Sequence, residues 1–200
     1  MRTLIWIPIA SPEGNAASSV GGEHAFGETD WPGIRKTVAE LELPYTNVHL
    51  YQDALPCCEK EYEVVRRIAE SGSDNHELLL KLVDEGARLV GTEDASLLLH
   101  EYRLLQDVLG GQRQDDDDRN ANRKQELLVE RDRFIAARIN ATLPTAEIGL
   151  LFLGGNHCVE PLLDADILVT RLVPSVRNRR PTAGQPVHRQ PTNAGFVPAR

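Results

Sequence analysis

No stretch of this chain is apolar over the roughly 20 residues that a membrane-crossing helix needs, so no membrane partner is expected. Cysteine is scarce. Cys57, Cys58 and Cys158 are an odd number without metal-type spacing, and neighbouring cysteines seldom bridge because local geometry points their side chains apart. Reduced thiols in a reducing compartment are the simple reading. No Gly-Lys-Ser/Thr follows Gly154-Gly155, which rules out a phosphate loop of the usual kind. The run Asp115–Asp118 lacks the alternating spacing and the glycine of a calcium loop and reads as a solvated linker. There is no internal repeat. Basic charge is also lacking where it would matter. The net charge is −8, and because residues 171–200 hold six arginines and no acid, the first 170 residues carry −14. A body that acidic argues against nucleic acid as the main partner. The basic tail could touch RNA, lipid or the protein's own acidic surface, but it reads first as a solvated tail.

What is present is an ordinary globular composition, 41% apolar and 26% charged in 200 residues, enough for one domain with a real core. Met1-Arg2-Thr3 followed by Leu4–Ala10 resembles a signal peptide superficially. Its apolar stretch is short and broken by Pro8, and it reads better as a first strand (Leu4–Ile9) of a cytoplasmic protein. Residues 11–29 form a long loop without periodicity, and such loops are often functional. Asp30 and Pro32 open a helix running to about Leu43. Val48–Tyr51 is a strand ending at Gln52-Asp53. A helix is expected from about Cys57 to Ser71, and another from Ser73 or Asp74 to the stop at Gly86. Ala87–Val90 is a short strand, followed by a helix from Asp94 to Leu109, a polar linker from Gly110 to Asn122, and a long helix from about Arg123 to Thr142. Strands Ile148–Leu153 and Asp166–Leu172 complete the pattern. This alternation predicts a single α/β domain over residues 1–173, with a mainly parallel sheet of four to five strands and helices on both faces. From Pro174 the proline-rich basic tail, 174–200, is expected to be disordered.

Helical periodicity places several charges on apolar faces. In the helix from Asp94, the residues Leu98, Tyr102, Leu105, Val108 and Leu109 define a stripe with Glu101 near its centre. In the long helix Arg131 and Arg138 lie within the stripe of Leu127, Leu128, Phe134, Ile135 and Ile139, and Glu130 lies at its edge. A charge facing a core costs several kcal/mol unless it is paired. Two readings stay open: buried bridges such as Glu101–Arg131 or Glu130–Arg138, or a polar pocket shared with the sheet's C-terminal loops. Those loops carry Asp53, Glu93 with Asp94, and Asn156 with His157. In an open parallel sheet the loops past the C-terminal strand ends are where ligands bind. Asp53, Glu93 and His157 all follow strands and could converge, with donors suited to zinc or manganese. His24, in Gly21-Gly22-Glu23-His24, is a weaker candidate that would have to fold back over the site. Asn75 reads as a cap or a buried hydrogen-bond partner.

Glu93 in Leu89-Val-Gly-Thr-Glu93, then Glu130-Arg131-Asp132 on a helix, then a strand ending in Gly154-Gly-Asn-His157, resembles the erythromycin-esterase/TraB/TIKI-type superfamily of metal-dependent hydrolases. The chain is also similar to a small group of uncharacterised bacterial proteins sharing Leu50-Tyr-Gln-Asp53, Asn75-His-Glu-Leu-Leu and Gly91-Thr-Glu-Asp. The resemblance covers about half the chain. It implies metal-assisted hydrolysis of a small-molecule or peptide substrate, with His157, Glu93 and, if it substitutes, His24 near the metal. Glu93, Glu130, Arg131 and His157 would be catalytic, Arg131 steadying an anionic intermediate, and Asp53, Asp94, Glu101 and Asn156 would bind. One departure stands out: the family has a second Gly-x-x-His after its first strand, whereas this chain has Ile7-Pro-Ile-Ala-Ser-Pro-Glu. The alternative is a non-catalytic ligand-binding or interaction module on the same fold.

Overall fold

The structure, a computed structural model, describes residues 1–9, 29–109 and 117–172. His24, the loop around it, and the tail expected to be disordered lie outside the described residues. The strands are β1 (Arg2–Ile9), β2 (Val48–Gln52), β3 (Arg88–Val90), β4 (Ile148–Gly154) and β5 (Ile167–Arg171). The helices are α1 (Trp31–Glu40), α2 (Glu61–Glu70), α3 (Asp74–Asp84), α4 (Ala95–Leu109) and α5 (Asp117–Thr142). Among the described residues no helix is long and apolar enough to cross a membrane.

The five strands form one sheet in the order β3-β2-β4-β1-β5, and every pairing is parallel. Parallel strands need covered faces, and the side chains of β1 show both coverings. Ile5, Ile7 and Ile9 join Ile34, Val38, Val65, Leu79 and Leu82 of α1, α2 and α3 on one face. Leu4 and Trp6 join Ile135, Ala136 and Ile139 of α5 on the other. The sheet's N-terminal end is tied by Arg2, whose guanidinium donates to Asp164 at 2.8 Å, Asp166 at 2.6 Å and the Asn140 carbonyl at 2.7 Å. That clamp lies at the opposite end from the loops that carry chemistry.

Strand order fixes where a ligand crevice forms. β2 and β4 are neighbours, yet the chain leaving β2 runs to β3 at one edge while the chain leaving β4 runs to β5 at the other. Diverging connections leave a gap beyond the C-terminal ends of such a pair, the switch point at which open α/β sheets bind ligands.

Three expectations need correction. α2 begins at Glu61, not Cys57, because Pro56 pairs as an isolated parallel bridge with Glu93 and Cys57 N donates to the Glu93 carbonyl at 2.9 Å. Tertiary pairing takes the backbone groups a first helical turn would have used. Gly91 permits this approach, since a Cβ there would lie 2.7 Å from Cys57 Cα and 3.0 Å from the Pro56 carbonyl. Second, α5 starts at Asp117, inside the expected linker. Third, the buried face of α4 is rotated. Tyr102 is exposed and Leu104 is buried, so the inward face runs through Leu97, Leu98, Glu101, Leu104 and Leu105, which keeps Glu101 at its centre.

Candidate functional site

Asp53, Glu93 and His157 come together at the β2/β4 switch point, but they meet around Arg131. Asp53 follows β2 directly, and its backbone N–H donates to the Phe152 carbonyl at 2.8 Å. Its Oδ2 accepts from Gly154 N at 3.1 Å, which joins the ends of the two strands, and its Oδ1 accepts from Arg131 Nη2 at 2.9 Å. Glu93, with no exposed surface, takes Arg131 in bidentate fashion: Nε to Oε2 at 2.7 Å and Nη2 to Oε1 at 2.5 Å. Its Oε1 also accepts from Ala54 N at 3.0 Å, at a residue held in the left-handed region with φ 60°. A non-glycine residue there is strained, and the bond to Glu93 offsets that strain. Glu101 on α4 completes the set, accepting from Arg131 Nη1 at 2.6 Å.

Arg131 therefore bonds three carboxylates on three elements. The two readings of the wrong-faced charges resolve toward pairing: Arg131 is buried, not facing solvent, and Glu101 is one of its partners. The Glu130–Arg138 bridge does not form. Glu130 is exposed, pointing away from the cluster, and Arg138 donates to the Gly91 carbonyl at 3.2 Å.

The next residue on α5 turns to the loop after β4. Asp132 Oδ1 and His157 Nδ1 are 2.6 Å apart, and Asp132 Oδ2 accepts from Cys158 N at 2.9 Å. His157 is buried, and its Nε2 faces Asp53 Oδ1 across 3.8 Å. A neutral ring that donates Nδ1–H to Asp132 carries its lone pair on Nε2. That gap is beyond direct hydrogen-bond range. Asp132 lies between Leu128 and Ile135 at i−4 and i+3. The periodicity that singles out Arg131 singles it out equally, although the sequence reading assigned it no role.

Charge follows geometry. Burial pushes the Asp53 carboxyl upward, with Glu93 adding to the shift and His157 and Arg131 opposing it. Burial also pushes Glu93 upward, but the Arg131 guanidinium and the Ala54 N–H outweigh it and hold Glu93 below its ordinary value. Burial disfavours charge on Arg131 too. Glu93, Asp53 and Glu101 overcome it and raise the guanidinium above its usual range. The cluster thus holds a fixed cation, an ionised Glu93 and a carboxyl, Asp53, that retains its proton more readily than a free aspartate.

A zinc or manganese site would need these donors free. Both Glu93 oxygens and one Asp53 oxygen are engaged by Arg131, and the other Asp53 oxygen by Gly154 N. Among the described residues no group of three or more His, Cys, Asp or Glu side chains is arranged to hold a metal ion. The donors expected to meet on a divalent ion meet on a guanidinium, which does not fit a metal centre. His24 falls outside the described residues. Asp94 is spent on α4, its Oδ1 accepting from Ser96 N at 2.7 Å and Leu97 N at 3.2 Å as an N-cap. Asn75 is buried in the first turn of α3 with no hydrogen-bond partner at Oδ1. Asn156 is exposed beside His157 and lines the cleft between α4 and α5.

Comparisons with protein-family models, with curated proteins and with solved structures find no match.

Proposed function

We propose that the protein is a hydrolase in which His157, oriented by Asp132, is the general base for water. The observation that carries this reading is the Asp132–His157–Asp53 alignment at the switch point: an imidazole fixed at Nδ1 by a carboxylate at 2.6 Å, with Nε2 directed at a second carboxyl 3.8 Å away. A water hydrogen-bonded to Nε2 attacks an acyl carbon. Its proton goes to Nε2 as the new C–O bond forms. The imidazolium, stabilised by Asp132, then returns the proton to the leaving group as the old acyl bond breaks, so that one water yields an acid and an alcohol or amine. Asp53, with its raised pKa, is a second proton carrier at that position.

Arg131 takes a different part from the anion-steadying role that the family resemblance implies. Its hydrogen bonds go to carboxylates, so it positions Asp53 and Glu93 and leaves little for a substrate oxygen. No step is routed through a metal, because the carboxylates that would hold one already hold Arg131. Cys57, Cys58 and Cys158 are free thiols.

The depth of the cluster favours one second reading, a ligand-binding module without turnover, since His157 and Glu93 are nearly or wholly buried. A screen of ester, thioester and amide substrates with wild type, His157→Gln and Asp132→Asn decides between them. Hydrolysis by the wild type that both variants lose at matched melting temperature supports the enzyme. Turnover retained in His157→Gln overturns it, and binding without turnover favours the module.

A further inference from the structure

The apolar stripe that periodicity gives α4 is only partly used within the chain. Leu98, Tyr102 and Leu105 follow one another at spacings of four and three, the spacing of a seam between two helices. Leu98 and Leu105 are half-buried, but Tyr102 and Leu99 stand 57% and 48% exposed. Three residues apart, those two share one outward face. The hydrogen bond to the Tyr102 hydroxyl comes from its own helix, Gln106 Nε2 donating at 2.7 Å.

Beside this ring lies a cleft of about 190 Å³ between α4 and α5, with Leu104, Leu105, Leu127 and Leu128 in its walls. Ala121 and Gln125 line it too, and both are exposed, so the cleft opens to solvent. An apolar cavity of about 150 Å³ holds a benzene ring, and this one has room for a phenol. Leu105 belongs to both features, as a wall of the cleft and as the stripe residue next to Tyr102. A projecting ring and a neighbouring hollow make a surface that is self-complementary about a two-fold axis, each copy filling the other. Charge permits the approach. Two copies of a chain with net charge −8 repel unless the surfaces that meet are free of acids. Leu99, Tyr102 and Gln106 on α4 and Gln125, Leu128 and Val129 on α5 carry no charge. Of the charged residues lining the cleft, Lys124 is a cation and Glu101 is paired with Arg131.

We propose that two copies of this chain associate through α4 and α5, Tyr102 of each seated in the cleft of the other. Tyrosine is among the residues that carry most of the binding energy at such interfaces. Asn156 lines the same cleft and directly precedes His157. Association therefore sets an aromatic ring of the second copy beside the candidate site. The hydrolytic reading is not needed for this inference.

The test is sedimentation velocity of the full chain from about 1 μM to about 1 mM, the span of weak to moderate association. A shift from monomer to dimer with rising concentration is expected. Tyr102→Ala should weaken association about thirtyfold, as loss of an anchor residue does. Ala121→Trp fills the cleft from an exposed position and should weaken it at least about tenfold. Leu168→Ser alters a leucine 52% exposed on β5 and should change association by less than about twofold, as a residue outside the interface would. Circular dichroism checks that each variant is folded, and the two interface variants sit on different helices, so misfolding of one leaves the other decisive. A monomer at every concentration overturns the proposal, and so does a dimer indifferent to whichever folded interface variant is tested. Dissociation by Leu168→Ser alone would move the interface to the sheet edge and overturn it as well. A monomer that binds added phenol, with binding lost in Ala121→Trp, would give the cleft to a small molecule instead.

Discussion

Asp132 and His157 are 25 residues apart in the chain and 2.6 Å apart in the fold. One lies on the inward face of α5 and the other in the loop past β4. A helix and a strand that pack against each other bring them together, and the same Asp132 carboxylate also takes the Cys158 N–H at 2.9 Å, so the loop and the imidazole are set by one group. A histidine so held has the direction of its ring set by Asp132.

Asp132→Asn should preserve the fold and the Cys158 contact while removing the charge that stabilises an imidazolium. Hydrolytic rate is expected to fall by about 10²–10⁴, the span attributed to a positioned acid–base group. Steady-state kinetics on whichever substrate the screen returns measures this, with circular dichroism as the check on folding. An unchanged rate would remove Asp132 from the mechanism.

Arg131→Met tests the cluster as structure. It strands Glu93, which has no exposed surface, together with Asp53 and Glu101. Breaking a buried pair from one side costs about 3–5 kcal/mol. Urea unfolding should show that loss, and the double variant Arg131→Met/Glu93→Leu should recover much of it. A loss below about 1 kcal/mol, the range of exposed pairs, would mean that the guanidinium is solvated after all.

Acid should find the same cluster. Glu93 is held below its ordinary value of 4.5, so its contribution is complete above that pH and is lost as pH falls through the lower folded value. Asp53 runs the other way: its raised value favours the fold in acid, and that contribution fades as pH rises from the ordinary 3.8 through the folded value. Glu93→Gln should therefore be most destabilised near neutrality and should approach wild type as pH drops. Unfolding free energies measured in steps from neutrality into acid give the comparison. Parallel wild-type and variant curves would contradict the linkage.

Gly91→Ala probes the close approach that frees residues 57–60 from α2. The added methyl would lie 2.6 Å from Glu61 Oε1 and 2.7 Å from Cys57 Cα. Glu61 can swing away but backbone cannot, so a cost of about 1–3 kcal/mol is expected, as for overpacking elsewhere. In a domain of this size about 1 kcal/mol moves the thermal midpoint by roughly 2–4 °C. A midpoint unchanged in Gly91→Ala would show that the Pro56–Glu93 bridge is easily displaced.

Sequence alone determined the class of fold and the addresses of the chemistry. Alternating apolar runs and helical stripes specify an α/β domain because their periods, two and 3.6, are local properties of the backbone. The same periods located Arg131 and Glu101 on inward faces, and turn residues after strands located Asp53, Glu93 and His157. Tertiary structure decided what those groups do to one another. It made Arg131 the guanidinium on which Asp53, Glu93 and Glu101 converge. It turned Glu130 to solvent, spent Asp94 as a helix cap, and joined Asp132 to His157. The reason is physical: periodicity gives the direction of a side chain from its own helix or strand, but a hydrogen bond depends on which other element stands opposite. That was fixed only when the order β3-β2-β4-β1-β5 set the ends of β2 and β4 side by side beneath α5.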